Sequence, residues 1–467
     1  MYLFNSGVFD SAIKIFLKEI NMSFIISKYT YNLVTSKGVY LIYCSRTNSF
    51  MSLTKKLYDF IIQMKQNPLL MNELDESLFE LFKSHKIIVN DYEDDDFLLK
   101  RQFHEDQISY SQSTLSLIIV PTLSCNFDCP YCFEEGKKGG VMSDCTIDEL
   151  ITFIKQHELA KDLTITWYGG EPLLAFSVIK KILDKIKSEI KIPIRWQSIV
   201  TNGYYFDSKV IEYFKENPLN SIQITLDGSR ERHNRVRKQK NTGEGSYDRL
   251  IDNIDKILHE LHDTKVSIRV NIEKANRNDF LLLQEELSTK WKGKNIDFYP
   301  GFLRIENETK TALACDAISQ WESKIFYYEI YKNKKLKGTV FPQLENNQGC
   351  CATMVNAYII GPKGEIYKCW NDVTNENKIV GYINDNNLSD SALFFRYLLG
   401  SKFYYNDECK NCFYLPICQG YCPWLRLKNQ YDNGKFVICE CMQRAPDLLN
   451  KSLEDWYDFQ INKEKNA

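Results

Sequence analysis

The sequence predicts an α/β protein whose main body is a partial (β/α)6 TIM-like barrel. Six apolar, β-branched runs alternate with amphipathic stretches from Leu115 to about Arg304. In the amphipathic stretches apolar residues recur at helical spacing, as in Thr146–Leu159, Val178–Ile190 and Tyr247–Leu261. This alternation is typical of parallel strands joined by crossover helices. The predicted strands are Leu115–Val120, Leu163–Trp167, Trp196–Val200, Ile222–Leu226, Val266–Ile272 and Ile296–Tyr299.

Composition limits the class of protein. The chain has 467 residues, of which 44% are hydrophobic and 26% charged, which suits two or three globular domains. A formal charge of -2 gives no general reason to expect a nucleic-acid partner. The N-terminus lacks the pattern of a secretion signal, and no apolar run approaches the roughly 18 residues of a membrane span. We therefore expect a cytoplasmic protein whose 15 cysteines are metal ligands rather than disulfides.

The sequence on either side of the barrel divides into further regions. The predicted domains are an N-terminal domain over 1–109, the barrel over 110–310, a linker helix over 311–348, a cysteine-rich domain over 349–445 and a C-terminal helix over 446–467. In the first of these, β-rich runs precede two helical patterns and an acidic tail. These segments are Tyr29–Val34, Gly38–Tyr43, Leu53–Met64, Leu74–His85 and Glu93–Asp96.

A loop of three cysteines follows the first predicted barrel strand. Cys125, Cys129 and Cys132 have the spacing Cys-x3-Cys-x2-Cys. Three thiolates bind three irons of a 4Fe-4S cube and leave the fourth iron open to a ligand. The alternatives are a zinc site, which would need two close cysteine pairs, or buried free thiols. Chemistry in barrel folds lies at the carboxyl ends of the strands, where this loop stands.

This loop, with the aromatic Tyr131 before its last cysteine, resembles the radical SAM enzyme superfamily. The resemblance implies that S-adenosylmethionine binds the open iron and is cleaved to a 5'-deoxyadenosyl radical. Gly169-Gly170-Glu171-Pro172, after the second strand, resembles the family's element beside the methionine moiety. Glycines permit close backbone approach there, and Glu171 is expected to help bind the ligand's ammonium group. The alternative is a tight turn with an exposed Glu.

Polar residues at later strand ends extend the resemblance. Thr201-Asn202-Gly203 and Leu226-Asp227-Gly228 are similar to stretches of the same superfamily, as is the segment from His233 to Arg237. The resemblance implies that Asn202, Asp227, Arg237 and Arg269 contact the ribose or the carboxylate of S-adenosylmethionine, although each type also caps helices and turns. The basic run Arg230–Lys240 is predicted to be a solvated loop near the substrate mouth rather than a nucleic-acid patch.

A second cysteine field, with nine cysteines, lies between residues 350 and 441. Its order of cysteines resembles the SPASM extension, which binds two auxiliary iron-sulfur clusters. The resemblance assigns Cys351, Cys369 and Cys422 to the first cluster, and Cys409, Cys412, Cys418 with Cys439 or Cys441 to the second. The alternative is a double structural zinc site.

The fourth ligand of the first cluster stays open between Cys350, Cys315 and no protein residue. Because successive side chains of an extended chain point to opposite faces, Cys350 and Cys351 are awkward ligands for one cluster. We therefore expect an open iron that binds a substrate thiolate.

Together these resemblances imply a radical SAM/SPASM maturase of a ribosomal precursor peptide, of the thioether-forming ranthipeptide type. They imply three 4Fe-4S clusters, a Cys-containing precursor with a leader, and an electron donor such as flavodoxin or ferredoxin. The N-terminal domain resembles the winged-helix element that binds leaders, for which an exposed strand edge is suited. No nucleic-acid or membrane partner is expected.

Other functions remain open from the sequence. An anaerobic sulfatase-maturating enzyme would carry an Asp general base directly after the Gly-x4-Cys cysteine, where this chain has Trp370, with Asp372 two residues on. Carbon-carbon crosslinking or epimerisation of a peptide is a further enzymatic alternative. The alternative from another class is a zinc or iron-sulfur regulatory module, which would not need the six βα units.

Overall fold

The computed structural model describes residues 23–132, 140–303, 320–332, 349–385, 388, 391–418, 420, 422–436, 438 and 446–465. The N-terminal part forms a hydrophobic core of its own. Its strands are β1 (Phe24–Ile26), β2 (Thr30–Val34), β3 (Tyr40–Cys44), β4 (Ser49–Leu53) and β5 (Ile88–Asn90). Its helices are α1 (Lys55–Gln66), α2 (Glu76–Ser84) and α3 (Glu93–Ser109). Strands β2, β3 and β4 form an antiparallel sheet, and β1 pairs antiparallel with β5.

The main sheet contains six parallel strands that neighbour one another in sequence order. They are β6 (Thr114–Thr122), β7 (Asp162–Gly169), β8 (Ile194–Thr201), β9 (Ser221–Thr225), β10 (Lys265–Ile272) and β11 (Ile296–Phe302). The connecting helices are α4 (Asp144–Gln156), α5 (Phe176–Glu189), α6 (Ser208–Glu216), α7 (Arg230–Val236), α8 (Tyr247–Glu260) and α9 (Asp279–Lys290). The predicted α/β class with a central parallel sheet is confirmed.

Local sequence explains where these helices begin and which face they bury. The Ser143 hydroxyl accepts a hydrogen bond from Thr146 N (3.1 Å) at the start of α4, and the Asp207 carboxylate accepts one from Val210 N (3.1 Å) in α6. Each such cap stabilises a helix by about 1 kcal/mol. The buried side chains of α5 recur at three- and four-residue spacing, which gives it one apolar stripe for the sheet.

Three strands from the cysteine-rich region extend the sheet beyond β6. They are β12 (Ala357–Ile360), β13 (Glu365–Tyr367) and β14 (Gly381–Tyr382). β12 pairs parallel with β6, and β13 and β14 continue as antiparallel strands. The first barrel strand is therefore an interior strand of a nine-stranded sheet. This extension ties the cysteine-rich region to the strand that carries the cysteine loop, and the sequence pattern did not predict it.

The remaining helices are α10 (Gln320–Lys332), α11 (Ala392–Phe395), α12 (Asp407–Lys410), α13 (Pro423–Tyr431) and α14 (Pro446–Lys465), and α11 continues as a π-helical turn over Arg396–Gly400. The N-terminal sheet packs on α14 and on the segment after α12. This contact is a separate apolar cluster of Leu33, Leu41, Tyr43, Phe413, Ile417, Leu449 and Leu453. The N-terminal part thus docks on the cysteine-rich and C-terminal parts. No helix of the described residues is long and apolar enough to cross a membrane.

Two charged segments differ from their predictions. The acidic tail expected at Glu93–Asp96 is the first turn of α3, where the helix dipole stabilises carboxylates. Asp94 in that turn is buried and accepts hydrogen bonds from Lys28 N (2.8 Å) and the Arg46 guanidinium (2.9 Å). The solvated loop predicted for Arg230–Lys240 is wrong for its first part, which is helix α7.

The buried face of α7 explains that second difference. Arg232 and His233 point into the protein, and Arg232 forms an ion pair with the buried Glu273. Because these two side chains find buried partners, a basic run that looks solvent-facing in the sequence packs as a helix.

Candidate active site

A cavity of about 670 Å³ opens at the carboxyl ends of the six parallel strands. The cysteine loop, defined by Cys125, Cys129 and Cys132, lines one side. The predicted residues Tyr131, Gly169, Gly170, Asn202, Arg237 and Arg269 also line it. The structure therefore brings together most of the residues that the sequence assigned to cofactor binding, at the edge of the sheet where barrel chemistry occurs.

The glycines after β7 allow the cysteine loop to lie against this strand. A Cβ at Gly170 would overlap the carbonyl oxygens of Leu123 and Ser124, and a Cβ at Gly169 would overlap that of Thr122. Gly169 also has a φ of +124°, which L side chains rarely adopt. The close backbone approach predicted for these glycines is present, and it is made to the chain that leads into the cysteine loop.

Glu171 has a different environment from the one predicted. Its carboxylate is fully buried, lies outside the cavity lining, and accepts hydrogen bonds from the Thr201 hydroxyl (2.7 Å), Asn202 N (2.7 Å) and Leu173 N (3.0 Å). Burial raises its pKa, and these hydrogen bonds oppose the rise. Because three of its acceptor sites are used inside the protein, Glu171 joins the ends of β7 and β8, and its contact with a ligand's ammonium group stays a prediction.

The thiols of the cysteine loop are partly buried and have polar neighbours. Burial raises the pKa of Cys125 to about 11 and that of Cys129 to about 12. Cys125 Sγ accepts from Phe127 N (3.4 Å) and lies 3.9 Å from Asn202 Nδ2. N–H groups directed at a sulfur favour its thiolate form, which is the form that binds iron.

Asp227 and Arg237 form a buried network beside this loop. The Tyr131 hydroxyl donates to Asp227, and the Arg237 guanidinium donates to the Tyr131 hydroxyl (3.0 Å) and lies 3.8 Å from the Asp227 carboxylate. Burial would lower the pKa of Arg237, but Cys129 and Asp227 beside it hold it above its usual value. Asp227 is fully buried and outside the cavity lining, so it positions Tyr131 and Arg237.

His233 holds the backbone of this network in place through hydrogen bonds. Its Nδ1 accepts a hydrogen bond from Asp227 N (3.2 Å), and its Nε2 lies 3.0 Å from the Ser246 hydroxyl, which donates to the Arg237 carbonyl (2.6 Å). Burial, with Arg237 nearby, lowers the pKa of His233 well below its ordinary value. The neutral ring therefore fixes the backbone at Asp227 and Arg237.

The far wall of the cavity comes from three strands whose residues the sequence analysis mostly missed. Gln223 and Thr225 of β9, Arg269 and Asn271 of β10, and Tyr299 and Gly301 of β11 line it. In each strand the two positions are two apart, so they share one face. That alternation of polar residues in apolar strands is the signal that would have found them. Arg269 donates to Asn271 Oδ1 (2.9 Å).

The cysteine-rich region supplies another wall. Trp370 and Asn371, which directly follow Cys369, line the cavity. The Trp370 ring packs edge-on against Tyr168 with ring centroids 4.7 Å apart. Residues of two predicted domains therefore enclose one space, which follows from the pairing of β12 with β6.

Four cysteines lie close together behind this wall, and we call them the first cysteine group. They are Cys350, Cys351, Cys369 and Cys422. Burial, Asp372 and then Cys422 and Cys350 hold the pKa of Cys369 well above its ordinary value. The neighbouring Cys350 holds the pKa of Cys351 below its ordinary value, against the effect of burial.

The geometric argument against using both adjacent cysteines assumed an extended chain, and the backbone here is extended only up to Cys350. Cys350 is extended, with φ −96° and ψ 140°, but Cys351 begins a 3-10 turn. The side-chain alternation of a strand therefore ends between them. The Cys315 alternative lies outside the described residues.

Cys409, Cys412 and Cys418 form the second cysteine group, around α12. Cys412 N donates to Cys409 O (3.2 Å), and Cys418 Sγ accepts from Gly420 N (3.3 Å). Cys439 and Cys441 lie outside the described residues. Cys422, which directly precedes α13, packs with Cys369, Tyr397 and Trp424. Its assignment to the first cluster stays a prediction.

The cysteine loop and the polar atoms beside it suit one 4Fe-4S cluster and a polar ligand. Within the described ranges no three His, Cys, Asp or Glu side chains converge on a single metal ion. Thiolates of an iron-sulfur cube each bind a different iron and so surround a larger object. In the same part of the chain, Asn126 Nδ2 and Arg237 Nε are buried donors without a hydrogen-bond partner beside the cavity, and a polar ligand would satisfy them.

Residues 119–287 match the model of the Radical SAM superfamily, and this part of the chain is a radical SAM domain. The match contains the cysteine loop and strands β7 to β10. It ends before the cysteine-rich region.

The chain is similar to several curated proteins over most of its length. It is 26% identical to a cysteine-type anaerobic sulfatase-maturating enzyme of Clostridium novyi, over 70% of this chain and 93% of the relative. It is 22% identical to the radical SAM cyclopropyl synthase TigE of Paramaledivibacter caminithermalis, over 85% of this chain and 89% of the relative.

Solved structures share the fold. The protein anSMEcpe with bound AdoMet superposes with a TM-score of 0.58 at 19% identity, over 76% of this chain and 96% of that one. Streptococcus suis SuiB bound to precursor peptide SuiA gives a TM-score of 0.51 at 16% identity, over 90% of this chain and 100% of that one.

Proposed function

We propose that this protein is a radical SAM maturase of a precursor peptide, and that it closes a thioether from a peptide cysteine to a carbon of the same peptide. The observation that carries the proposal is the shared cavity, with the cysteine loop on one side and Trp370 and Asn371 on another. S-adenosylmethionine on a cluster held by the cysteine loop would supply a 5'-deoxyadenosyl radical that abstracts hydrogen. The chain's own residues shape where the substrate carbon lies.

Relatives support a peptide substrate. SuiB is solved with precursor peptide SuiA, and the enzyme names of the curated relatives include sulfatase-maturating enzymes and a cyclopropyl synthase. The cavity wall contains Tyr168, Tyr299 and Trp370, together with Gln223 and Asn271. Aromatic faces and amide groups bind peptide side chains and backbone without a fixed charge requirement.

The sulfatase-maturating alternative depends on a carboxylate general base. Among the described residues that line the cavity there is no Asp, Glu or His. Asp372, the nearest carboxylate in sequence to the expected position, is buried and accepts from the Tyr397 hydroxyl (2.5 Å) and Trp424 Nε1 (3.0 Å). It is committed to the interior of the cysteine-rich region. This favours bond formation within a peptide over formylglycine formation.

The number of protein ligands in the first cysteine group decides whether a cluster there could bind the thiolate of the peptide. Because Cys351 begins a 3-10 turn, Cys350 and Cys351 are not held on opposite faces of a strand, and Cys350 is the proposed fourth ligand of the first auxiliary cluster. With four protein thiolates such a cluster would have no open iron for the substrate thiolate and would supply an acceptor for the electron released on bond formation. The thioether is supported by the segment Tyr367-Lys368-Cys369-Trp370-Asn371-Asp372, which resembles that of thioether-forming maturases. It is also supported by the lack of a carboxylate among the described residues of the cavity wall.

The N-terminal part is the proposed docking site for the leader of the precursor. The sheet β2-β3-β4 has β2 and β4 as its outer strands. One face of this sheet is covered by α14, so a leader added as a strand would use an outer strand rather than that face.

The decisive experiment uses the reconstituted full-length enzyme, S-adenosylmethionine, dithionite and the peptide encoded by a short cysteine-rich reading frame beside the gene, under anaerobic conditions. 5'-Deoxyadenosine and the peptide mass are followed together, before and after thiol alkylation. A product lighter by two hydrogens whose cysteine resists alkylation is the expected result. The variant Cys129→Ala serves as the control and is expected to give neither product.

Other products would decide between the alternatives. Loss of two hydrogens with every thiol still alkylated would replace the thioether by carbon-carbon bond or ring formation, the chemistry in the name of TigE. Replacement of a cysteine sulfur by oxygen together with the loss of two hydrogens, which leaves an aldehyde side chain, would favour formylglycine formation. Enzyme that carries zinc without sulfide and forms no nucleoside would overturn the catalytic proposal in favour of a regulatory module.

A further inference from the structure

A buried arginine lies against the second cysteine group. Arg426 of α13 is 8% exposed. Its Nη2 lies 3.8 Å from Cys409 Sγ, and its Nε donates to Gly420 O (2.6 Å). Gly420 N in turn donates to Cys418 Sγ (3.3 Å). One guanidinium therefore contacts one cysteine of the group directly and holds the turn that contacts another.

The Arg426 guanidinium lies 6.0 Å from the centroid of the Phe403 ring, but it has no anionic side-chain partner in the part of the chain that the structure describes. No carboxylate there lies within ion-pair distance of Arg426. Arg101 of α3 gives the contrast, because it donates to the carbonyls of Leu415 and Cys418 and also pairs with Glu105 at 3.5 Å. A guanidinium stays charged in proteins, and burying it without an anion is costly. The sulfurs beside Arg426 are the available anion once they hold iron.

We propose that Arg426 is the counter-charge of an iron-sulfur cluster on the second cysteine group and raises the reduction potential of that cluster. Each added electron makes a thiolate-bound cluster more negative, so a fixed cation stabilises the reduced state more than the oxidised state. An N–H directed at a ligand sulfur acts in the same direction. Arg426 touches no substrate, so it is a positioning and electrostatic residue.

This inference rests on the proposed cluster content, and the test separates the two. The background is the full-length Cys125→Ala/Cys129→Ala/Cys132→Ala protein, in which only the auxiliary clusters remain. Iron and sulfide are quantified first, and the protein is then titrated with dithionite while electron paramagnetic resonance is recorded. Arg426→Gln and Arg426→Lys are compared in this background. Arg396→Gln controls for net charge. In the parent protein the Arg396 guanidinium lies 4.4 Å from the centroid of the Tyr431 ring.

Arg426→Gln is expected to lower the midpoint potential of one of the two cluster transitions. At a fixed potential the ratio of reduced to oxidised cluster should fall about tenfold, which corresponds to about 59 mV for one electron. Arg426→Lys is expected to restore most of the shift, and Arg396→Gln to leave both transitions in place. Loss of one cluster in Arg426→Gln but not in Arg426→Lys would also support the counter-charge. Unchanged transitions in Arg426→Gln, or equal effects of Gln and Lys, would overturn it. Absence of a second cluster from the parent background would instead refute the proposed cofactor content.

Discussion

The cysteine loop and the two C-terminal cysteine groups place the same side chain in opposite settings. The loop lies on a cavity wall, with unpartnered donors such as Arg237 Nε beside it. Cys369 and Cys422 of the first cysteine group pack among Tyr397, Trp424 and Leu425, and Cys409 of the second contacts Arg426. A cluster that must bind a changing ligand needs open space, whereas a cluster that only exchanges electrons needs fixed neighbours. The predictions below test this division.

The largest effect is expected from Cys129→Ala. Loss of a loop thiolate removes the cofactor that carries the radical chemistry, so 5'-deoxyadenosine formation should fall by at least about a thousandfold. Nucleoside release is measured by chromatography, with iron content alongside to confirm that the auxiliary iron remains. Cys145→Ala, at an exposed cysteine of α4, is the matched control and should behave as the parent. Retained nucleoside formation in Cys129→Ala would contradict the role of the loop.

Gly170→Ala tests whether the loop depends on close backbone packing. The added methyl would overlap the carbonyls of Leu123 and Ser124, and overpacking of this kind costs about 1–3 kcal/mol. We expect partial loss of the loop cluster, read from its resonance signal with and without S-adenosylmethionine, while the auxiliary signals persist. Gly140→Ala, whose Cβ would meet nothing closer than Pro362 Cβ at 3.9 Å, should keep the loop cluster. Equal loss in both variants would show that this packing is not specific.

Trp370→Ala tests whether the cavity wall from the cysteine-rich region positions the peptide independently of the cysteine loop. This ring comes from the cysteine-rich region and packs on Tyr168, so its loss should misplace the peptide without touching the loop thiols. Misplacement of this kind costs roughly tenfold to a hundredfold in rate. We expect peptide modification to fall while 5'-deoxyadenosine continues to form. Trp196→Ala, at a Trp that is 45% exposed, is the control. Parallel loss of both products in Trp370→Ala would argue against a substrate-positioning wall.

Asp372→Asn distinguishes a structural carboxylate from a general base. The amide keeps one acceptor for Tyr397 or Trp424 and loses the other, which costs about 1–2 kcal/mol of stability. We expect a lower melting temperature and product formation within about threefold of the parent, because the carboxylate is outside the cavity lining. Abolished product formation by a folded, cluster-loaded variant would revive the sulfatase-maturating alternative.

The smallest expected effect is the pH dependence of the local stability of α7, which carries His233 beside the cysteine loop. His233 is neutral when folded because burial holds its pKa well below 6.5, whereas an unfolded His protonates near 6.5. The unfolded state then binds more protons, so the local free energy of unfolding should fall below about pH 6.5, by up to about 1.4 kcal/mol per pH unit. Amide exchange of α7, corrected for intrinsic rates, should quicken from pH 7 to pH 5.5, while that of α13 should change less.

His233→Gln checks the assignment of that pH effect. Without the imidazole the extra protonation of the unfolded state is lost, so the pH slope of α7 exchange should flatten even if α7 is weaker at every pH. An unchanged slope in the variant would assign the effect to another group.

The sequence alone determined the parallel sheet, the order of its strands and the cysteine loop. The spacing of apolar residues predicts the alternation of strands and helices, and the three-cysteine motif is local in the chain. Both can therefore be recognised without tertiary information. It also located Tyr131, Gly169, Gly170, Asn202, Arg237 and Arg269, which the fold brings to one cavity.

Only the tertiary structure decided which polar side chains face that cavity and which serve the interior. Glu171 and Asp227 lie in motifs beside the cysteine loop, yet burial and backbone partners use their oxygens. The extension of the sheet by β12, the entry of Trp370 into the cavity wall and the contact of Arg426 with Cys409 join residues far apart in the chain. Burial and hydrogen-bond satisfaction depend on such distant neighbours, which a local sequence pattern does not record.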